Sequence, residues 1–138
     1  MISFHSEDIA IKIQQKLKLK NWLKNVIAHE GFSLGEVNYI FCSDDYLLKI
    51  NIEYLDHDYL TDIITFDNSE EEKLIEGDIF ISIDRVADNA RTFEVSFEHE
   101  LKRVLVHGIL HLCGYFDKTD EQEKLMRFKE NHYIALFN

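Results

Sequence analysis

Apolar positions change their period several times along the chain, and each change marks an element. Ile2 and Phe4 alternate with polar neighbours, the two-residue period of a short first strand. Leu19, Trp22, Leu23, Val26 and Ile27 then recur at the spacing of one helical face, and Gly31 follows as a C-cap. Val37-Asn38-Tyr39-Ile40-Phe41-Cys42 is rich in β-forming residues and ends at the turn-like Ser43-Asp44-Asp45. Tyr46, Leu47, Ile50 and Tyr54 return to helical spacing. Further strands are expected over 62–66 and 77–83, separated by an acidic polar loop, and a short helix over 85–92. Ser96 caps a long helix whose first turn carries Glu98 and Glu100, where the helix dipole favours negative charge. Thr119-Asp120-Glu121-Gln122 fits a capping box and announces a last helix, with Leu125, Met126, Phe128, Tyr133 and Ile134 as its apolar side. Strands interleaved with helices, then helices alone, predict an α/β or α+β sandwich on one small sheet.

Composition narrows this picture without redirecting it. The 138 residues suit one domain over 1–138, long enough to bury a core, with no repeat and no shift in composition. Ten Phe, six Tyr and one Trp argue against disorder. No apolar run approaches the ~18–20 residues of a membrane span, and the opening residues lack the basic and apolar regions of a secretory signal. Cys42 and Cys113 are too few for a disulfide framework and suit reduced thiols, so the expected compartment is the cytoplasm. A net charge of −11 disfavours tight binding to nucleic acid in general, which relies on Lys and Arg neutralising phosphates. Lysines 12, 16, 18, 20 and 24 do crowd the N-terminal quarter, and Glu70, Glu71 and Glu72 cluster mid-chain; both runs suit solvated faces, the first also a local basic surface.

The chemistry concentrates in Val106-His107-Gly108-Ile109-Leu110-His111-Leu112-Cys113-Gly114-Tyr115-Phe116-Asp117. Histidines at i and i+4 share a helical face roughly 6 Å apart, which suits two ligands of one metal. The surrounding helix is apolar enough to be buried, and an unsatisfied buried polar group costs about 1–3 kcal/mol, a cost a metal removes for both rings at once. Gly114 ends the helix, letting Asp117 return a carboxylate to the same point. His107, His111 and Asp117 thus predict a divalent metal, zinc by preference, with a fourth position left for water. His5, His29, His57, His99 and His132 lack such company, although His99 lies two turns before His107 on a similar face; Cys113 points elsewhere and belongs to the core. The position after His107, where zinc peptidases carry a glutamate base, is Gly108, which disfavours peptide hydrolysis.

Residues 107–115 resemble the His-Gly-x-Leu-His-Leu-x-Gly-Tyr signature of the YbeY family of bacterial metal-dependent proteins. Asn51 to Tyr54, Thr61-Asp62-Ile63-Ile64-Thr65-Phe66 and Gly77-Asp78-Ile79-Phe80-Ile81-Ser82 resemble its other stretches, in the family's order. The resemblance implies the family's zincin-like α/β fold, a small mixed four-stranded sheet with about five helices. It also implies zinc at His107, His111 and the third-ligand position. The implied activity is a single-strand-directed endoribonuclease in small-subunit ribosomal RNA maturation and ribosome quality control. The partners would be single-stranded or ribosomal RNA and small-subunit ribosomal proteins, with no DNA and no membrane. Two positions depart from the pattern: Asp117 stands where the family usually has histidine, and Leu55 where it often has arginine. A carboxylate is a legitimate zinc ligand, so the site is expected to persist with altered metal preference.

The expected mechanism is metal-assisted phosphodiester cleavage. Asp62 is a candidate for orienting water or a ligand, with capping of the strand entry as its alternative. Arg85 is a candidate phosphate contact, with a surface salt bridge as its alternative. Two rival functions remain: a non-catalytic assembly factor with a structural metal, docking on basic ribosomal proteins, and a metal hydrolase of another substrate class.

Overall fold

A computed structural model describes residues 1–137. The elements run β1 (Ile2–Ser6), α1 (Lys16–His29), β2 (Ser33–Cys42), α2 (Asp44–Leu55), β3 (Ile63–Asp67), β4 (Leu74–Ser82), α3 (Ile83–Thr92), α4 (Phe97–Leu112) and α5 (Asp120–Ala135). The strands form one mixed sheet in the order β1-β2-β4-β3, as the resemblance implies. β1 and β4 flank β2 in parallel, and β3 closes the far edge antiparallel to β4.

Register sorts side chains onto the two faces, because successive residues of a strand alternate. Phe4, Tyr39 and Ile79 lie side by side across three strands, as do Phe41, Ile81 and Ile63. These rows meet α1 and α4 in the main core, where Leu23, Ile27, Leu105, Ile109 and Leu110 are fully buried. On the opposite face α2 packs over β3 and β4, burying Leu47 and Ile50 against Ile64 and against Cys42 at the end of β2. α4 is apolar nearly all round because it is enclosed by α1, α3, α5 and the sheet.

Two helices, α4 and α1, end in the same hydrogen-bonded turn. In α4, Tyr115 N–H donates to Leu110 O and Gly114 N–H to His111 O, both at 3.0 Å, with Gly114 at φ 101°, a left-handed conformation that favours glycine. In α1, Phe32 N–H donates to Ile27 O and Gly31 N–H to Ala28 O, with Gly31 at φ 86°. Ser96 and Thr119 cap α4 and α5 as expected, the latter in a reciprocal capping box with Gln122. The apolar side of α5 needs correcting. Leu125 and Phe128 are exposed at 46% and 65%, and the buried line is Met126, Glu130 and Tyr133. A charged residue holds the centre of that line because its partners lie beneath it.

Candidate metal centre

The i, i+4 spacing on α4 brings the His107 and His111 rings to 4.4 Å between centroids, with their planes at 83°. The turn at Gly114 reverses the chain and returns Asp117, so the three residues sequence spacing had grouped come together in space. Their ligand atoms all lie within 4.8 Å of one another. Asp117 Oδ2 stands 3.3 Å from His107 Nε2 and 3.4 Å from His111 Nε2. Ligands about 2.0–2.1 Å from an ion at tetrahedral angles stand about 3.3–3.4 Å apart, so the spacing fits a zinc-sized centre.

The outer nitrogens decide what the inner ones offer. His107 Nδ1 lies 2.6 Å from Glu130 Oε2, a carboxylate that only accepts, so Nδ1 carries the proton and donates it. His111 Nδ1 lies 2.9 Å from the Tyr115 carbonyl and donates likewise. Each Nε2 therefore turns a lone pair toward Asp117, itself an acceptor. Three acceptors converging within 4.8 Å, two of the pairs at 3.3–3.4 Å, repel one another unless a proton or a cation sits among them. Burial pulls His107 down, but the Glu130 hydrogen bond and the charges of Glu130, Asp62 and Asp117 outweigh it and leave its pKa raised. Burial lowers His111, and the charge of His107 lowers it further. Glu130 would rise by burial alone; His107 and Arg103 hold it below the ordinary glutamate value.

Beside the histidines opens a cleft of about 510 Å³ whose lining includes Asp62, Thr65, Glu100 and Arg103. A second groove, about 640 Å³, runs along the start of α5 and shares His107, Asp117, Arg127 and Glu130 with the cleft. Asp62 stands on this cleft at the entry to β3, its carboxyl raised by burial. Its backbone carbonyl accepts from Ser82 N–H at 2.9 Å, which fixes the strand entry as well. Arg85 is not brought to the cleft. Its Nε reaches Asp44 at 3.1 Å and its Nη1 reaches Asp88 at 3.0 Å, so its charge serves the contact between α2 and α3. Asn89, one turn later on α3, lines the cleft instead.

Two carboxylates escaped the reading of the sequence. Glu130 and Glu100 are only 3% and 4% exposed. Both had a signal: Glu130 sits four residues after Met126 and three before Tyr133, within the apolar stripe, and Glu100 precedes His107 by seven residues on one face. The other histidines stay outside the site, and Cys42 and Cys113 are thiols pushed up to about 12 by burial, unsuited to nucleophilic catalysis. The chemistry available is that of a metal held by two imidazoles and a carboxylate.

Comparison with known proteins agrees with this reading. The family described as Endoribonuclease YbeY matches residues 1–138. Among curated relatives of that name, one from Flavobacterium psychrophilum is 54% identical over 138 residues, covering 100% of this chain and 97% of the relative. One from Cytophaga hutchinsonii is 53% identical over 135 residues, covering 98% of this chain and 94% of the relative. The solution structure of TM1509 from Thermotoga maritima superposes with a TM-score of 0.68 at 32% identity, covering 98% of this chain and 87% of that one. With the motif, the sheet and the whole-length match in agreement, the chain belongs to the YbeY family.

Proposed function

We propose that this protein is a zinc-dependent endoribonuclease that cuts single-stranded RNA and acts in small-subunit ribosomal RNA maturation in the cytoplasm. Its class, a hydrolytic enzyme acting on RNA, follows from membership of a family described as endoribonuclease. The observation that carries the metal is the convergence of two Nε2 lone pairs and Asp117 Oδ2, with both Nδ1 atoms already committed. Zinc is favoured by the donor set, two imidazoles and a carboxylate at tetrahedral spacing. Bound there, a divalent metal supplies an acidified water and a positive charge for a phosphoryl oxygen.

The remaining work falls to the chain. Glu130 and the Tyr115 carbonyl hold a ring proton on each Nδ1 and fix the rings in direction, which leaves Nε2 as the ligating atom. Asp62, on the wall of the cleft, accepts a hydrogen bond from the attacking water and directs it at the phosphate. Gly108 keeps α4 close to the sheet: a Cβ there would meet Ile63 Cδ1 and two Ile79 carbons, each at 3.1 Å. Among the described residues no helix is long and apolar enough to cross a membrane.

Elemental analysis of purified protein tests the metal, with cleavage of single- and double-stranded RNA measured in parallel. Near-stoichiometric zinc, lost together with cleavage in His111→Ala and weakened in Asp117→Ala, is expected. Metal without cleavage would shift the reading to an assembly factor that docks on ribosomal proteins, and absence of metal would end it. Small-subunit RNA with unprocessed ends in cells lacking the protein would support the place in maturation.

A further inference from the structure

A cleft meant for a polyanion carries here an excess of negative charge. Asp62, Glu100, Asp117 and Glu130 line it, against two arginines, Arg103 and Arg127. Arg103 is committed: its Nη1 donates to Glu130 Oε1 and its Nη2 to Asn131 Oδ1, both at 2.9 Å. Arg127 is free to act. Its carboxylate neighbour is Glu130 Oε1 at 3.8 Å, the oxygen that Arg103 already occupies, and 56% of its side chain is exposed. It also stands where the cleft meets the second groove, lining both. Lys124, one turn earlier on α5, continues the positive charge into that groove.

Two aromatic residues, Tyr59 and Phe93, each 56% exposed, line the cleft and not the second groove. Both are anchored through their backbones. Asn51 Nδ2 donates to the Tyr59 carbonyl at 2.9 Å, and the Tyr59 ring stacks on His57 at 5.2 Å with its hydroxyl 3.0 Å from His57 Nδ1. Phe93 caps α3, its N–H donating to Asn89 O at 2.9 Å. Exposed aromatic rings beside a cleft suit the flat faces of unpaired bases, which a duplex keeps within its own stack.

We propose that Arg127 is the phosphate-holding residue of this cleft and that Tyr59 and Phe93 are its base platforms, so that an RNA strand in the cleft continues past Arg127 into the α5 groove. This assignment rests on the endoribonuclease reading above. Guanidinium suits the task because it meets two phosphate oxygens at once and keeps its charge at any working pH. The two kinds of contact differ in how they respond to salt: a phosphate contact releases counterions, and a stacking contact does not.

The test is binding of a short single-stranded RNA, followed by fluorescence anisotropy across a range of salt, with the RNA shown intact on a gel after each titration. Arg127→Ala is expected to weaken binding roughly tenfold and to flatten the slope of log affinity against log salt by about 0.7, the value of one single-strand phosphate contact. Arg127→Lys should restore the slope. Tyr59→Ala and Phe93→Ala should each weaken binding by roughly five- to hundredfold with the slope unchanged, and should have no effect on an oligonucleotide lacking bases. In cleavage assays Arg127→Ala should raise KM far more than it lowers kcat. Wild-type affinity and slope in Arg127→Ala, in a protein that cleaves RNA normally, would overturn the assignment alone. A wild type that neither binds nor cleaves RNA would overturn the function on which it rests.

Discussion

Replacing Glu130 by Gln tests whether a buried carboxylate prepares His107 for metal. The carboxylate accepts from two donors, His107 Nδ1 at 2.6 Å and Arg103 Nη1 at 2.9 Å, one on each oxygen. An amide of the same shape keeps one acceptor and gains two donor hydrogens. If its oxygen faces Arg103, its NH₂ faces His107 Nδ1, which must become an acceptor; the ring proton then moves to Nε2 and removes the lone pair aimed at the metal. If the amide turns over, its NH₂ abuts the Arg103 guanidinium, donor against donor beside a full positive charge, so the first orientation is favoured. Loss of a partner that orients a ligating histidine costs about 10–100-fold in metal affinity, or about 1.4–2.7 kcal/mol. Replacing the ionised acceptor of Arg103 by a neutral amide oxygen costs about 1–2 kcal/mol, since Arg103 also keeps Asn131 at 2.9 Å. At roughly 2–4 °C per kcal/mol for a chain of this size, the metal-free Tm should fall by roughly 5 °C. Competition with a zinc chelator gives the affinity, and calorimetry the Tm. A folded Glu130→Gln variant that binds zinc within twofold of wild type would refute the argument from the tautomer.

Two further outcomes follow from packing and charge. A Cβ at Gly77 would collide with the Phe66 carbonyl across the β3–β4 pair and press Leu112 Cδ2 at 3.3 Å, so Gly77→Ala should destabilise the fold by about 1–3 kcal/mol in urea melts. Burial alone would raise Glu30, but hydrogen bonds from the Tyr115 and Tyr133 hydroxyls and from Lys129 lower it below the ordinary 4.5. A depressed carboxylate contributes stability above its unfolded pKa and loses it as pH falls through the folded one. The stability difference between wild type and Glu30→Gln should therefore hold steady from neutral pH to about 5 and shrink below 4.5, and a flat difference in urea melts at each pH would contradict this.

The sequence was most informative where geometry is local. Four residues of helix place His107 and His111 on one face whatever surrounds them, and Gly114 signals the reversal that returns Asp117. Caps at Ser96 and Thr119 are likewise local hydrogen bonds, readable from residue type. The order β1-β2-β4-β3 is a matter of pairing between distant segments, and only the resemblance spoke to a mixed sheet. Arg85 shows the same limit: a cation after a strand end suits a phosphate in the abstract, but Asp44 reaches it from 41 residues away. The α5 stripe differs from the one its apolar residues suggest because a glutamate lies within it. Once Glu130 is allowed into the stripe, Met126, Glu130 and Tyr133 fall at i, i+4 and i+7, and Leu125 and Phe128 turn outward.

The three metal ligands are held by unequal means, and this ranks them. His107 is tied through Glu130 to Arg103 on its own helix and, by that same carboxylate, to α5. His111 is tied to the Tyr115 carbonyl, and the Tyr115 hydroxyl donates to Glu30 at 2.6 Å, which anchors the α4 turn to the end of α1. Asp117 lies beyond these networks: its side chain is 40% exposed, and the partners it meets among the described residues are the two imidazoles themselves. Removing either histidine therefore leaves buried partners unsatisfied, whereas removing Asp117 leaves the core intact. Zinc loss in Asp117→Ala thus reports on ligation and not on folding. The same asymmetry makes the loop that carries Asp117 the part of the site on which ligation imposes the most order, since nothing else in the fold prescribes where that carboxylate points.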